Sequence, residues 1–543
     1  MVNRRRFLEM NLGFGASVLT AQKARAAVLD PSESQTHQQA AMRVRMEAAA
    51  RSLERPPLEQ ITTGDEERYA DKRASFSKTL PHNEIGEVSP EAYRLFVDIL
   101  RQGNPKRFGE MPRAANAELR LNNPQAAYSY ELVGIDSHST AISWHPPFTS
   151  PWMASDMGEL YWLALTRDVP YREYESHPLI AEAPKDLNSF SSPVGPAVVQ
   201  KLNPITVFRG ETKGELIGPY ISQFLWHPIP FGATSFDQRE RYPVPGQDFL
   251  VEFQEWLANQ QGVKPKWKLV LDTQRRYIHN NRNLAEYVRR IFSIQPYLNA
   301  ALLALSFGED ALSPTNPYRG SKTEFGDLTF GGKNIVGLLG QAAQVAEKAA
   351  WYEKWLVHRR LRPEAFGGRL HNQLTDVKSY DIFPDLLRSE GVSRVKSTNG
   401  TSLLPIAYPE GSPTHPSYPA AHATIAGASA TVLKAFFNED FLFPNPVQVS
   451  SDGLSLDRWT GPRLTLGNEI DKLAGNVSYG RSAAGVHYRS DGAQGLLLGE
   501  THAIGLLADY SRTYREHFDG FVLRRLDGKK IRISNGQVAE VGG

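Results

Sequence analysis

Cysteine is absent from the 543 residues, which excludes disulfides, thiolate metal sites and cysteine nucleophiles together. Any catalysis has to come from His, Arg, Lys, carboxylates or hydroxyls. An excess of one charge is also lacking. Lys+Arg 61 against Asp+Glu 59 leaves a formal net charge of +2, so no global field points to nucleic acid or to an anionic membrane surface. No run of about 18 apolar residues occurs, which excludes a multi-pass membrane protein. What is present is the composition of a globular protein, 41% hydrophobic and 10% aromatic. The length suffices for two or three average domains or one large helical body.

The N-terminus carries an address. Asn3-Arg4-Arg5-Arg6-Phe7-Leu8 resembles a twin-arginine export signal, followed by an apolar, small-residue stretch from Met10 to Ala21 and an A-x-A site at Ala24-Arg25-Ala26. The alternative is a basic, amphipathic start to a first helix. Residues 1–26 are therefore expected to be a signal peptide, cleaved after Ala26, and the mature protein periplasmic or secreted. Residues 27–89 read as an N-terminal arm, polar and Ala-rich to about 75 and mobile with some helix.

Residues 90–330 read as a helical, loop-rich half. It opens with Tyr93, Leu95, Phe96, Ile99 and Leu100 at helical spacing, and its Pro- and Gly-rich loops, such as 228–232, are of the kind that shape substrate channels. Residues 331–543 are cleaner. Helices are expected over 335–361, stopped by Pro363, and over 420–437, 467–480 and 492–514. Such a set can build a buried site between facing helices. A turn at Asp527-Gly528 between alternating segments predicts a hairpin over 521–533. The fold class is mainly α, with a helical-bundle core, long loops and a small C-terminal hairpin.

Three segments concentrate anion-binding groups. In Lys354-Trp355-Leu356-Val357-His358-Arg359-Arg360-Leu361-Arg362-Pro363, Lys354 and Arg362 lie about 80° apart on a continuous helix, so that their side chains converge. In Pro416-Ser417-Tyr418-Pro419-Ala420-Ala421-His422, Pro419 suits a helix's first turn. The free N–H groups after it attract an oxyanion, and His422 is placed to exchange protons with it. In Arg481-Ser482-Ala483-Ala484-Gly485-Val486-His487-Tyr488-Arg489-Ser490-Asp491, a break over 482–485 lets Arg481 and His487 aim at one point. Asp491 can orient the imidazole.

The joint order K-x7-R-P … P-A-A-H … R-x5-H-x3-D resembles the signature shared by vanadium haloperoxidases and the type-2 phosphatidic acid phosphatase-like acid phosphatases. Segments 354–371, 413–434, 470–500, 218–224 and 242–257 are similar to the algal and cyanobacterial bromoperoxidases. The resemblance implies two four-helix bundles, one bound vanadate per subunit and a homo-oligomer. A structural calcium is also implied, with no ligands matched to positions here. It implies that Lys354, Arg362, Arg481 and the 420–421 turn bind the vanadate oxygens, that His487 coordinates vanadium and that His422 is the acid–base group. Its reactants are hydrogen peroxide and halide, with an organic nucleophile as acceptor.

Where the family commonly has Ser-Gly before the acid–base His, this chain has Ala420-Ala421. Ala420 removes a hydroxyl donor, while Ala421 still offers its N–H unless the backbone needs φ > 0. His415 matches a histidine of algal bromoperoxidases where fungal chloroperoxidases carry Phe, and Trp351 resembles the brown-algal and fungal pattern; together they imply bromide and iodide oxidation. Trp351 also reads as plain core packing. Two rivals use the same residues: an acid phosphatase with His487 as nucleophile, and a degenerate oxyanion-binding protein without turnover.

Overall fold

The computed structural model describes residues 31–56 and 58–542. The expected export signal lies outside them. The chain divides into a unit over 1–54 and a compact unit over 55–543. In the first, Pro31–Glu54 is a helix. Residues 55–89 do not behave as an arm. Phe76, Leu80 and Val88 are buried, and Lys78 forms an ion pair of 2.9 Å with Glu364, both side chains out of water. This stretch is a structural strap whose buried lysine and apolar residues are interleaved with polar ones, so composition alone reads it as solvated.

The larger unit is mainly helical. The helices that matter to the site are α1 (Pro90–Gln102), α2 (Pro151–Thr166), α3 (Asn281–Arg290), α4 (Gly332–Tyr352), α5 (Pro363–Leu374), α6 (Ala421–Phe436), α7 (Leu466–Ala483) and α8 (Arg489–Tyr510). In α1 the buried face is Tyr93, Phe96, Val97, Ile99 and Leu100. Leu95 points outward, one position off the expected stripe.

Helices α4, α6, α7 and α8 pack on one another as a bundle, and the sequence of α6 explains how closely. A Cβ added at Gly499 of α8 would sit 1.9 Å from the Thr424 carbonyl, and one at Gly427 of α6 would sit 2.0 Å from the Leu496 carbonyl. Only glycine lets these two backbones approach so nearly. Six of the sixteen α6 residues are buried alanines, which keeps the bundle axis narrow. A second core forms around α2, where Met157, Leu160, Tyr161, Trp162 and Leu163 are all buried against Phe366 and Leu370 of α5.

Short antiparallel hairpins β1–β2 (Ile229–Phe231, Thr234–Phe236) and β3–β4 (Val447–Val449, Leu456–Arg458) decorate the loops. The C-terminal hairpin has gained a third strand: β5 (Phe521–Arg524), β6 (Lys530–Ser534) and β7 (Gln537–Glu540) form one antiparallel sheet. Its alternating Phe521, Leu523, Ile531 and Ile533 enter the bundle core, so the sheet is a lid on that core and not a surface ornament. Among the described residues no helix is long and apolar enough to cross a membrane.

One expected helix is two pieces. The 335–361 segment is α-helical only to Tyr352. Residues Glu353–His358 then form a π-helical turn, and Arg359 reverses the chain with φ 38°. Lys354 and Arg362 therefore do not share a helix, and the 80° argument fails. They converge by another route. Arg360 runs extended, bridged to Ser75, and Arg362 becomes the residue that precedes Pro363 at the start of α5. π-Turns are rare and concentrate at functional sites, and this one carries Lys354.

Candidate oxyanion site

The site forms where four chain reversals meet: the π-turn after α4, the start of α5, the loop entering α6 and the α7–α8 junction. Ala420 precedes α6 at φ −74°, after a cis Tyr418-Pro419 peptide, so Pro419 lies outside the first turn and Ala421 opens the helix. Its φ is not positive, and no glycine is required there. Between α7 and α8, Gly485 takes φ 81° and the break expected at 482–485 turns His487 back toward Arg481.

Three cations gather around His487. The Lys354 ammonium donates to the carbonyls of Pro416 and Ser417, both at 2.8 Å, leaving its third N–H free. Arg362 donates to the carbonyls of His415 (3.0 Å) and Val486 (2.7 Å). Arg481 is 5% exposed and its Nε has no partner. Among the described residues none of the three has a carboxylate within ion-pair distance, although each is buried. Burial, with Arg362 and Arg481 close by, holds the Lys354 ammonium well below its usual range. Burial likewise pulls Arg362 down to about 9. Cations taken out of water without counter-ions are costly, and an anion placed among them removes that cost.

The histidines are prepared to meet it. His487 Nδ1 lies 2.8 Å from Asp491 Oδ2, and its Nε2 lies 2.9 Å from Arg362 Nη1. A carboxylate requires a proton on Nδ1 and a guanidinium requires a lone pair at Nε2, so the tautomer follows from the neighbours. Burial, then Arg362, Lys354 and Arg481, keeps the ring neutral by holding its pKa well below the usual 6.5. Half-buried His422 is pushed down to about 3, first by burial and then by Arg481, Lys354 and Arg362. An anion that cancels those charges would raise it again.

These residues fit a tetrahedral oxyanion bound through a neutral imidazole. A family model described as the VCPO second helical-bundle domain matches residues 334–516. A vanadium-dependent bromoperoxidase of Ascophyllum nodosum is 34% identical over 531 residues, covering 93% of this chain and 94% of that protein. The chain belongs to the vanadium haloperoxidase family. The vanadium-dependent bromoperoxidase of Corallina pilulifera is 31% identical over 92% of this chain and 99% of its own. The structure of a second, homohexameric vanadate-dependent bromoperoxidase from Ascophyllum nodosum superposes with a TM-score of 0.89, 26% identity and 96% coverage of both chains.

The residues expected to line the halide pocket lie beside the cation cluster. His415 packs its ring 5.0 Å from that of Trp351 and lies 3.0 Å from Arg362 Nη2 through Nδ1. Trp351 is buried, as packing would have it, yet its indole N–H donates to the Asn123 carbonyl at 3.0 Å, which fixes its face toward His415. Among the described residues no cluster of three or more His, Cys, Asp or Glu is arranged for a metal ion.

Sequence reasoning missed Arg360 and Ser417. Arg360 is fully buried, its Nη1 2.7 Å from Asp491 Oδ1 and its guanidinium 3.8 Å from the Tyr488 ring centre. The Ser417 hydroxyl donates to Asp491 Oδ2 at 2.6 Å. Arg360 and Arg362 alternate, and a period-of-two reading of that basic run would have put both on one side of an extended chain.

Proposed function

We propose that this protein is a vanadate-dependent haloperoxidase that oxidises bromide and iodide with hydrogen peroxide to the hypohalous acid, which passes to an organic nucleophile. The observation that carries the reading is His487, held by Asp491 at Nδ1 and facing Arg362 at Nε2, in a cluster with Lys354 and Arg481 where, among the described residues, none of the three cations has a carboxylate within ion-pair distance. Lys354, Arg362 and Arg481 would hold the vanadate oxygens with the N–H groups at 420–421, and His487 would hold the vanadium. Bound vanadate supplies a Lewis acid that polarises hydrogen peroxide toward attack by halide. His422 is the proton carrier: burial and the neighbouring cations hold it neutral, and it can take a proton from an incoming peroxide once an anion offsets the cations. His415 and Trp351 form the wall that halide meets, and the Trp351 N–H is already committed to Asn123, leaving its ring face for that role.

The test is bromide-dependent bromination of a phenolic dye after incubation with orthovanadate, with phosphate as competitor. Hydrolysis of an aryl phosphate, without bromination, would instead support the phosphatase reading. The homohexameric neighbour supports a homo-oligomer here as well.

The Ala420 departure yields a prediction. Ala420 stands at the helix cap with no side-chain hydrogen bond, and a serine there has two uses at once. Its lone pair accepts a free N–H of α6, worth about 0.5–2 kcal/mol, and its O–H points a donor to the anion, worth about 1.5–3 kcal/mol for a charged acceptor. Ala420→Ser is expected to tighten orthovanadate binding by roughly tenfold to a hundredfold and to raise the melting temperature. Titration of apo-protein measures the first. Equal or weaker binding would mean that the pocket has repacked around alanine.

Export is proposed to run through the twin-arginine route, on the pattern of residues 3–26. Changing Arg4 and Arg5 together to Lys is expected to leave full-length precursor in the cytoplasm. Undiminished export of the mature chain from about Ala27 would discard the route.

A further inference from the structure

Of the three cations at the site, two are tethered by carbonyl oxygens and one is not. Arg481 makes no such bond. Its one hydrogen-bond partner among the described residues is the Tyr408 hydroxyl, 3.4 Å from Nη1, and its guanidinium lies 5.4 Å from the centre of the Tyr408 ring. Tyr408 is itself immobilised. It is 2% exposed and its hydroxyl donates to the Ala285 carbonyl of α3. A second guanidinium, that of Arg289, lies 5.5 Å from its ring centre. Arg289 is held in turn by a two-pronged pair with Glu410, at 2.7 and 2.9 Å. The loop around Tyr408 is pinned to the end of Arg481's own helix by the Ala407 N–H on the Ala484 carbonyl, 3.0 Å.

We propose that Tyr408 is the positioning residue for Arg481, supplying through its ring face the restraint that backbone carbonyls supply to Lys354 and Arg362. The physical reason is one of donor economy. A carbonyl tether consumes N–H groups that the anion needs, whereas a ring face holds a guanidinium through its charge, and here only Nη1 is engaged, by a long bond to the hydroxyl. The orphaned Arg481 Nε is the N–H group so preserved. The hydroxyl's proton is spent on Ala285 and burial holds the ring in place, so the aromatic face is the working part. The proposal rests on the vanadate reading of the site.

The experiment is a double-mutant cycle read by orthovanadate titration of apo-protein, with no turnover required. Tyr408→Leu should weaken orthovanadate binding about tenfold, the scale of a lost cation–π restraint at a desolvated site. Tyr408→Phe, which keeps the ring, should bind within about threefold of wild type. In an Arg481→Gln background, Tyr408→Leu should cost less than about twofold, because the residue it positions is gone. A pentafluorophenylalanine incorporated at position 408 keeps the shape while reversing the ring's charge distribution. It should reproduce the loss, and serves if the leucine variant does not fold. Wild-type affinity in the leucine or fluorinated protein, or the same tenfold loss in the Arg481→Gln background, would overturn the proposal. Failure of the wild-type chain to bind orthovanadate would overturn the site reading itself.

Discussion

His487→Ala is expected to abolish vanadium incorporation and bring halide oxidation to background while the protein stays folded. The Nε2 of this imidazole faces the Arg362 guanidinium, and its tautomer is set from both sides, by Asp491 at Nδ1 and Arg362 at Nε2. Removing it leaves an anion only hydrogen bonds and charge. Phosphate and vanadate would then be bound alike, because what separates them at this site is the bond to nitrogen. The fold survives because Asp491 keeps Arg360, Ser417 and the Tyr488 N–H as partners. The loss of a ring from the core costs about 3–5 kcal/mol at most, and the helices around it are otherwise intact. Vanadium content after gel filtration and bromination rate are the two measurements. A mutant that retains one vanadium per chain with normal turnover would place the ligand elsewhere, and His422 would be the next residue to change.

How much of this could be read from residues alone depended on what held each piece. His487 and Asp491 were legible because only four positions separate them across the start of α8, where His487 precedes the cap and Asp491 lies in the first turn. The break between Arg481 and His487 was legible because Gly485 marks it. Lys354 and Arg362 were paired correctly on a wrong argument. The helix expected to carry both ends at Tyr352, and no residue in Glu353–His358 is a breaker. A π-turn and a left-handed arginine are imposed by tertiary packing, here the strap that bridges Ser75 to Arg360, and propensity carries no trace of it. The same strap explains the misread arm. Its buried lysine finds Glu364, which lies 286 residues on, a pairing no window of sequence contains. Tyr408 and Arg360 escaped for a related reason: each acts on a residue far along the chain.

Asp491→Asn is expected to lower both stability and vanadate affinity, by two routes that can be separated. Asp491 is fully buried and serves two masters, His487 through Oδ2 and Arg360 through Oδ1. An asparagine can keep its carbonyl oxygen toward His487, Ser417 and the Tyr488 N–H, but its amide then faces the Arg360 guanidinium, donor against donor. As a carboxylate partner Arg360 would retain only Asp156, whose Oδ2 is 3.5 Å away, beside the neutral Ser490 hydroxyl at 2.8 Å. Burial holds the Asp156 carboxyl up at about 6, so it stays mostly charged at neutral pH and fails as a counter-ion once the pH falls below that value. Breaking a buried pair from one side costs about 3–5 kcal/mol, a loss that thermal unfolding of the apo-protein would register. A neutral amide behind His487 makes the imidazole a poorer donor, and loss of such a partner costs about 10–100-fold in metal affinity. Arg360→Gln combined with Asp491→Asn should then recover much of the stability, since no unpaired cation remains, without recovering vanadate affinity. If the single variant unfolds and binds as wild type does, Asp491 neither orients His487 nor balances Arg360. If the double variant recovers both properties, the carboxylate acts on the anion site only by way of the fold.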